Sequence, residues 1–307
     1  MQGVLAGFAT IIAVIVLGFA LAHYQVLGGE TQVLLARLVF FVATPALLFQ
    51  LLAQADIADV FSAHLAVAAL SVAVSVVVYA AVARVVWRAE TGDVVVGVLC
   101  SSYVNAGNLG LPIAVYVLGQ GSYIAPILLL QLLVIAPAAL AVLDGVSSGA
   151  RPSLGRVLSG PVRNPVILAS MLGLLVAAAG WKVPAAVAGP VDLVAGIAVP
   201  GALLAYGIAL RVGPRPMAGG SAREVALATV LKLVVQPGVA VLLGREVFGL
   251  TGTALLAVAV TAALPTAQNV FIYAARYDRA TVLARDAIFA TTVLSVPVLL
   301  VVAAVLT

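Results

Sequence analysis

The sequence predicts an all-α polytopic membrane protein of ten transmembrane helices, arranged as two inverted five-helix repeats with helices 4 and 9 broken and crossing at mid-depth. Three observations predict it. Of the 307 residues, 64% are hydrophobic and 8% charged, with mean hydropathy +1.25, against about 25% charged in soluble domains. The apolar residues gather into ten runs, each near the roughly 17–25 residues that cross a bilayer. Proline-bearing motifs also recur at matching places in the two halves of the chain.

The runs are taken in order. The first, 3–23, has no basic segment before it and is too long for a signal-peptide core, so it is read as a retained span. The second, 33–53, carries Thr44-Pro45-Ala46-Leu47-Leu48 and Gln50, and the third, 62–86, is uninterrupted. The fourth, 94–118, holds Asn105-Ala106-Gly107-Asn108-Leu109-Gly110-Leu111-Pro112 in its middle. Glycine weakens a helix interior, and proline removes a donor and clashes with the preceding turn. In hydrocarbon each freed backbone group costs several kcal/mol unless protein or water satisfies it. Interrupted helices therefore line cavities, and in carriers they build the substrate site near mid-membrane. The fourth run thus points to a transporter.

The fifth run, 123–143, contains Gln131 and Pro137, and a Gly-, Ser-, Pro- and Arg-bearing linker over 144–163 joins the halves. The sixth, 164–180, is short. The seventh, 189–210, contains Val199-Pro200-Gly201-Ala202-Leu203-Leu204 and Tyr206. Lys232 and Gln236 lie inside the eighth, 222–247. The ninth, 252–275, is interrupted at Ala263-Leu264-Pro265-Thr266-Ala267-Gln268-Asn269, and the tenth, 281–306, contains Pro297.

The proline motifs repeat at nearly constant spacing: Pro45 matches Pro200, Pro112 matches Pro265, and Pro137 matches Pro297. Residues 1–143 and 164–307 are therefore read as two copies of one five-span unit. An odd number of spans inverts the second copy, the plan of many secondary transporters. Broken helices 4 and 9 would then aim half-helix ends at one point. Helix N-termini carry partial positive charge and unpaired N–H groups, which favour an anion. Asn105, Asn108, Gln268 and Asn269 add amide donors there.

Charge sets the orientation. Loops joining spans 1–2, 3–4, 5–6, 7–8 and 9–10, with their helix ends, hold Arg37, Arg84, Arg88, Arg151, Arg156, Arg163, Arg211, Arg215, Arg223, Arg276, Arg279 and Arg285. The other side has Lys182 and Arg245. The positive-inside rule places both termini outside a plasma or inner membrane. These arginines face anionic lipid, and the net charge of +4 needs no nucleic acid. One cysteine, Cys100, excludes an intrachain disulfide, and His23 and His64 have no metal-ligand spacing, so no cofactor or metal is expected.

Lys232 is the charge near mid-membrane. It either attracts the anion or carries a proton, or it holds span 8 through an ion pair or carbonyl contacts. Gln131, Tyr206 and Gln50 are further cavity candidates. Gly107, Gly110, Pro112 and Pro265 shape the crossover. No Asp or Glu lies at mid-depth, including Asp56 and Asp59 at a span end, which disfavours a cation–proton antiporter.

Asn105 to Pro112, Ala263 to Asn269 and Phe271-Ile272-Tyr273-Ala274-Ala275-Arg276-Tyr277 together resemble the auxin efflux carrier family. The resemblance covers the whole chain. It implies the crossover fold of the bile-acid symporter and NhaA kind, and transport of small carboxylates such as malonate, malate or indole-acetate. It also implies a scaffold of spans 1, 2, 6 and 7 bearing a homodimer contact, and a transport domain of spans 3–5 and 8–10 moving as an elevator. Asn108, the asparagine before the proline, would be a carboxylate ligand. The central loop is short here and long in plant exporters, which favours a bacterial member. Two alternatives stand beside this reading. One is a sodium-coupled organic-anion symporter using carbonyls with Ser101, Ser102, Gln131 and Gln268. The other is a non-transporting membrane sensor or embedded enzyme.

Overall fold

A computed structural model describes residues 2–54, 63–148, 165–212 and 222–306. Arg151, Arg156, Arg163, Arg215, Asp56, Asp59 and the linker beyond Ser148 lie outside them.

The described chain is helical, and its one β feature is an isolated antiparallel bridge. Six helices of 24 to 28 residues are long and apolar enough to cross a bilayer: α2 (Gly29–Ala53), α3 (Ala63–Val86), α6 (Gly121–Ser147), α8 (Ala185–Val212), α9 (Ala222–Val247) and α12 (Thr281–Leu306). At 1.5 Å per residue each exceeds the roughly 30 Å hydrocarbon core. The protein is therefore a multi-pass membrane protein. The remaining helices are α1 (Gln2–His23), α4 (Thr91–Ser102), α5 (Leu111–Tyr116), α7 (Pro165–Ala178), α10 (Gly252–Ala262) and α11 (Asn269–Tyr277).

Several prolines follow a widened helical turn, Pro112 of the predicted break in span 4 among them. Wide π turns at Val39–Ala43, Ala106–Gly110, Gln131–Ile135 and Leu231–Val235 each end two residues before a proline: Pro45, Pro112, Pro137 and Pro237. A proline ring clashes with the carbonyl four residues back and offers it no N–H. The wide turn relieves that clash. The residue before three of these prolines bonds five residues back instead: Thr44 N–H to Val39 O, Ala136 N–H to Gln131 O and Gln236 N–H to Leu231 O. Wide turns of this kind gather at functional positions, and two of them carry Gln131 and Lys232.

The chain divides into two compact units. Unit 1 comprises Met1–Ser62, Gly107–Leu128 and Val162–Gly213. Within it α1 meets α8 backbone to backbone: a Cβ on Gly18 would lie 2.5 Å from Leu204 O and 3.2 Å from Gly207 Cα. A Cβ on Gly173 of α7 would lie 2.8 Å from Phe49 O of α2. Small residues at such crossings drive helix association in membranes through close van der Waals contact.

Unit 2 comprises Ala63–Ala106, Leu129–Pro161 and Pro214–Thr307. Its core joins Tyr79, Leu99, Cys100, Tyr103, Ala228, Leu231, Ala267, Val270, Ala284 and Ala287. Gly97 leaves room for the Tyr79 ring, which meets Trp87 edge-on at 6.1 Å, and the Arg223 guanidinium lies 5.3 Å over that Trp87 ring. The bridge, α4, α9, α10, α11 and α12 all belong to this unit.

Candidate functional site: a crossover within unit 2

The interruptions of the two helices meet as a short antiparallel pair of segments. After α4, the segment Tyr103–Asn105 runs against Pro265–Ala267, which follows α10. Asn105 N–H donates to Pro265 O at 2.8 Å, and Ala267 N–H donates to Tyr103 O at 3.0 Å. Val104 lies opposite Thr266 between these bonds. In a pair of this type the two central residues turn their N–H and C=O groups away from each other. Buried away from water, those groups need other partners.

Side chains supply them. Gln131 Oε1 accepts from Val104 N–H at 2.6 Å, and Gln131 Nε2 donates to Val104 O at 3.1 Å. On the opposite side Thr266 N–H donates to Thr291 Oγ1 at 3.1 Å, and the Thr291 hydroxyl donates in turn to Ala287 O at 2.7 Å. Thr266 Oγ1 donates to Cys100 O at 2.6 Å, near the end of α4. The Ser101 and Ser102 hydroxyls both donate to Val98 O. The α10 end is served differently: Lys232 Nζ donates to Ala262 O at 2.7 Å and to Gln236 Oε1 at 2.8 Å. Lys232 is fully buried.

Beyond the crossing, α11 starts at Asn269. The first N–H groups of a helix have no intrahelical acceptor and carry partial positive charge. Gln268 and Asn269 lie at that start and are partly buried. Tyr273 lies one turn further along α11. Asn105 is buried in the crossing itself.

The crossing in the first half thus falls upstream of the glycines and Pro112. Gly107, Asn108 and Gly110 lie in the wide turn Ala106–Gly110, and Pro112 sits in the first turn of α5. That wide turn relieves the clash of the Pro112 ring with the carbonyl four residues back. Pro265, by contrast, lies within the crossing. Asn105, Gln131, Lys232, Pro265, Gln268 and Asn269 all belong to unit 2. The chain passes from unit 2 to unit 1 between Ala106 and Gly107, so Asn108, like Gln50 of α2 and Tyr206 of α8, is assigned to unit 1.

Sequence reading missed Thr266, Thr291 and Tyr103. One signal was available: Thr291 follows Gln131 by the same offset that relates Pro297 to Pro137.

Residues 4–145 and 149–303 match the model of a family described as membrane transport protein. The chain belongs to that family. It is the auxin efflux carrier family that the two interrupted motifs resemble. A Rhizobium meliloti relative named "Putative malonate transporter" is 28% identical over 295 residues, covering 92% of this chain and 89% of the relative. As a member of the membrane transport protein family, this chain is a membrane transporter.

Proposed function

We propose that the protein is a secondary transporter, and no enzyme, for small organic carboxylate anions of the malonate class, with the anion held beside the crossover. One observation carries this reading. A buried antiparallel crossing is immediately followed by the N-terminus of α11, with Asn105, Gln268 and Asn269 within two residues of its strands. Half-helix N-termini with amide donors suit a carboxylate. Asn108, one turn along the chain from Asn105, supplies a further amide. Gln131 fixes the backbone on which these groups are mounted. An interior-negative potential drives an anion outward with about 2.3 kcal/mol per charge per 100 mV.

The rest of the proposal follows from an inverted-repeat plan. Gln131 and Thr291 stand at matching places in the two halves, and they serve equivalent backbone N–H groups in the crossing. We read spans 1, 2, 6 and 7 as the scaffold of a homodimer and spans 3–5 and 8–10 as the part that carries the anion between membrane faces as an elevator. The arginine-rich loops are cytoplasmic and the termini external, in a bacterial cell membrane.

The test uses purified protein in liposomes on a supported membrane, challenged with malonate, malate, other dicarboxylates and indole-3-acetate. A dicarboxylate is expected to give the largest currents. Asn108→Ala is expected to lower them about ten- to hundredfold, the effect of one lost hydrogen bond to a charged ligand, about 1.5–3 kcal/mol. Wild-type currents in that variant would remove Asn108 from the site.

A further inference from the structure

We propose that the Lys232 ammonium is a tethered cation, standing where a soluble coupling cation would otherwise bind. The carrier then works without sodium, and comes to need a small cation only when Lys232 is removed. This rests on the transport reading above and adds the identity of its ionic partner.

The argument begins with what surrounds the charge. Lys232 is fully buried, yet among the described residues no carboxylate pairs with it. The ion pairs among the described residues are Arg223–Glu224, Arg245–Glu246, Arg279–Glu90 and Arg285–Asp286. The ammonium rests instead on two neutral oxygens, the Ala262 carbonyl at 2.7 Å and Gln236 Oε1 at 2.8 Å. Ala262 is the last residue of α10, where unpaired carbonyls carry partial negative charge. Backbone carbonyls at a half-helix C-terminus beside a crossing are the ligands that transporters present to a monovalent coupling ion. Here an ammonium on a flexible stem already occupies them.

The other half of the molecule shows what the same place looks like without a charge. Ser71 and Ser75 precede Lys232 and Gln236 by one shared offset, nearly that between Gln131 and Thr291. Both serines are buried, and each donates to a carbonyl of its own helix: Ser71 to Ala68 O and Ser75 to Ser71 O. The end of α4 is served by neutral hydroxyls, those of Ser101, Ser102 and Thr266. One end of the crossing is therefore closed by hydroxyls and the other by a fixed positive charge.

The test compares wild type with Lys232→Ala, which empties the space beside Ala262 O and Gln236 Oε1. Purified protein is melted in choline, sodium or methylammonium chloride at equal ionic strength, and liposome currents are recorded in the same salts. A ligand that binds the folded state raises its melting temperature, and by more the further its concentration exceeds its dissociation constant. Wild type is expected to melt and transport alike in all three salts. In choline, Lys232→Ala is expected to melt lower and carry about tenfold less current, the effect of leaving a buried acceptor unmet. Methylammonium or sodium is expected to restore both.

Three results overturn the proposal: wild-type currents or melting that require sodium, a folded Lys232→Ala that no cation restores, or a Lys232→Ala indistinguishable from wild type in choline. Should Lys232→Ala fail to fold in every salt, the wild-type comparison of sodium with choline decides alone. Wild-type protein that melts normally but passes no current with any acid counts against the transport reading, while the melting data still judge the tethered cation.

Discussion

Gln131→Leu is expected to unfasten the crossover and abolish most transport. Leucine fills a similar volume but offers nothing to Val104, whose N–H and C=O both bond the Gln131 amide at 2.6 and 3.1 Å. Each buried backbone group left unmet costs about 1–3 kcal/mol, so the pair costs about 2–6 kcal/mol. Melting temperature and maximal current both fall. A glutamine that only touched substrate would behave otherwise: its loss would raise the half-saturating concentration and leave the melting temperature unchanged. Gln131→Glu separates the cases further. A protonated carboxyl can accept from Val104 N–H and donate to Val104 O, as the amide does. The ionised form has no proton to donate and sets a negative oxygen against the carbonyl. Function relative to wild type is therefore expected to return as pH falls and to fade as pH rises. A Gln131→Glu profile parallel to wild type at every pH, or a Gln131→Leu protein with wild-type melting and current, rules out this clamp.

That clamp also marks the limit of what the sequence discloses. Membrane class, the six long apolar helices and the two interruptions were legible because they rest on composition and on residues with strong backbone effects. The position of the crossing was less so. Its centre is Val104, an ordinary residue in an apolar run, because the bonds that define it are made by backbone groups that every residue except proline offers. The groups that satisfy Val104 and Thr266 lie 27 and 25 residues away in sequence, on α6 and α12. Pro112 drew attention to the right helix but lies past the crossing, where a wide turn accommodates it. Lys232 was visible as a buried charge, and its two structural partners differ in legibility. Gln236 is one turn away on the same helix, whereas Ala262 contributes only a carbonyl. The helix contacts of unit 1 were the least legible. Gly207 is one of 28 glycines, and nothing in its local sequence distinguishes it from glycines that face open space.

Gly207→Ala is accordingly expected to be among the most damaging single-methyl changes in the protein. The added Cβ would run into Ile15 O and stand 2.8 Å from Phe19 N and 3.0 Å from Gly18 Cα. All three are backbone atoms of α1, so no side-chain rotation relieves the clash. The helices must separate, giving up contacts along their length. Overpacking a well-filled site costs about 1–3 kcal/mol and occasionally more, and a clash with backbone alone belongs at the upper end. At about 2–4 °C per kcal/mol for a chain of this order of size, a loss near 3 kcal/mol lowers the melting temperature by about 6–12 °C. Gly238→Ala is the control. Its Cβ would meet nothing within 4 Å, and replacing a helix-interior glycine with alanine gains about 0.5–1 kcal/mol in helix propensity. The two single-methyl additions are thus expected to move the melting temperature in opposite directions. Equal melting of both variants would mean that α1 and α8 do not meet through their backbones at Gly18 and Gly207.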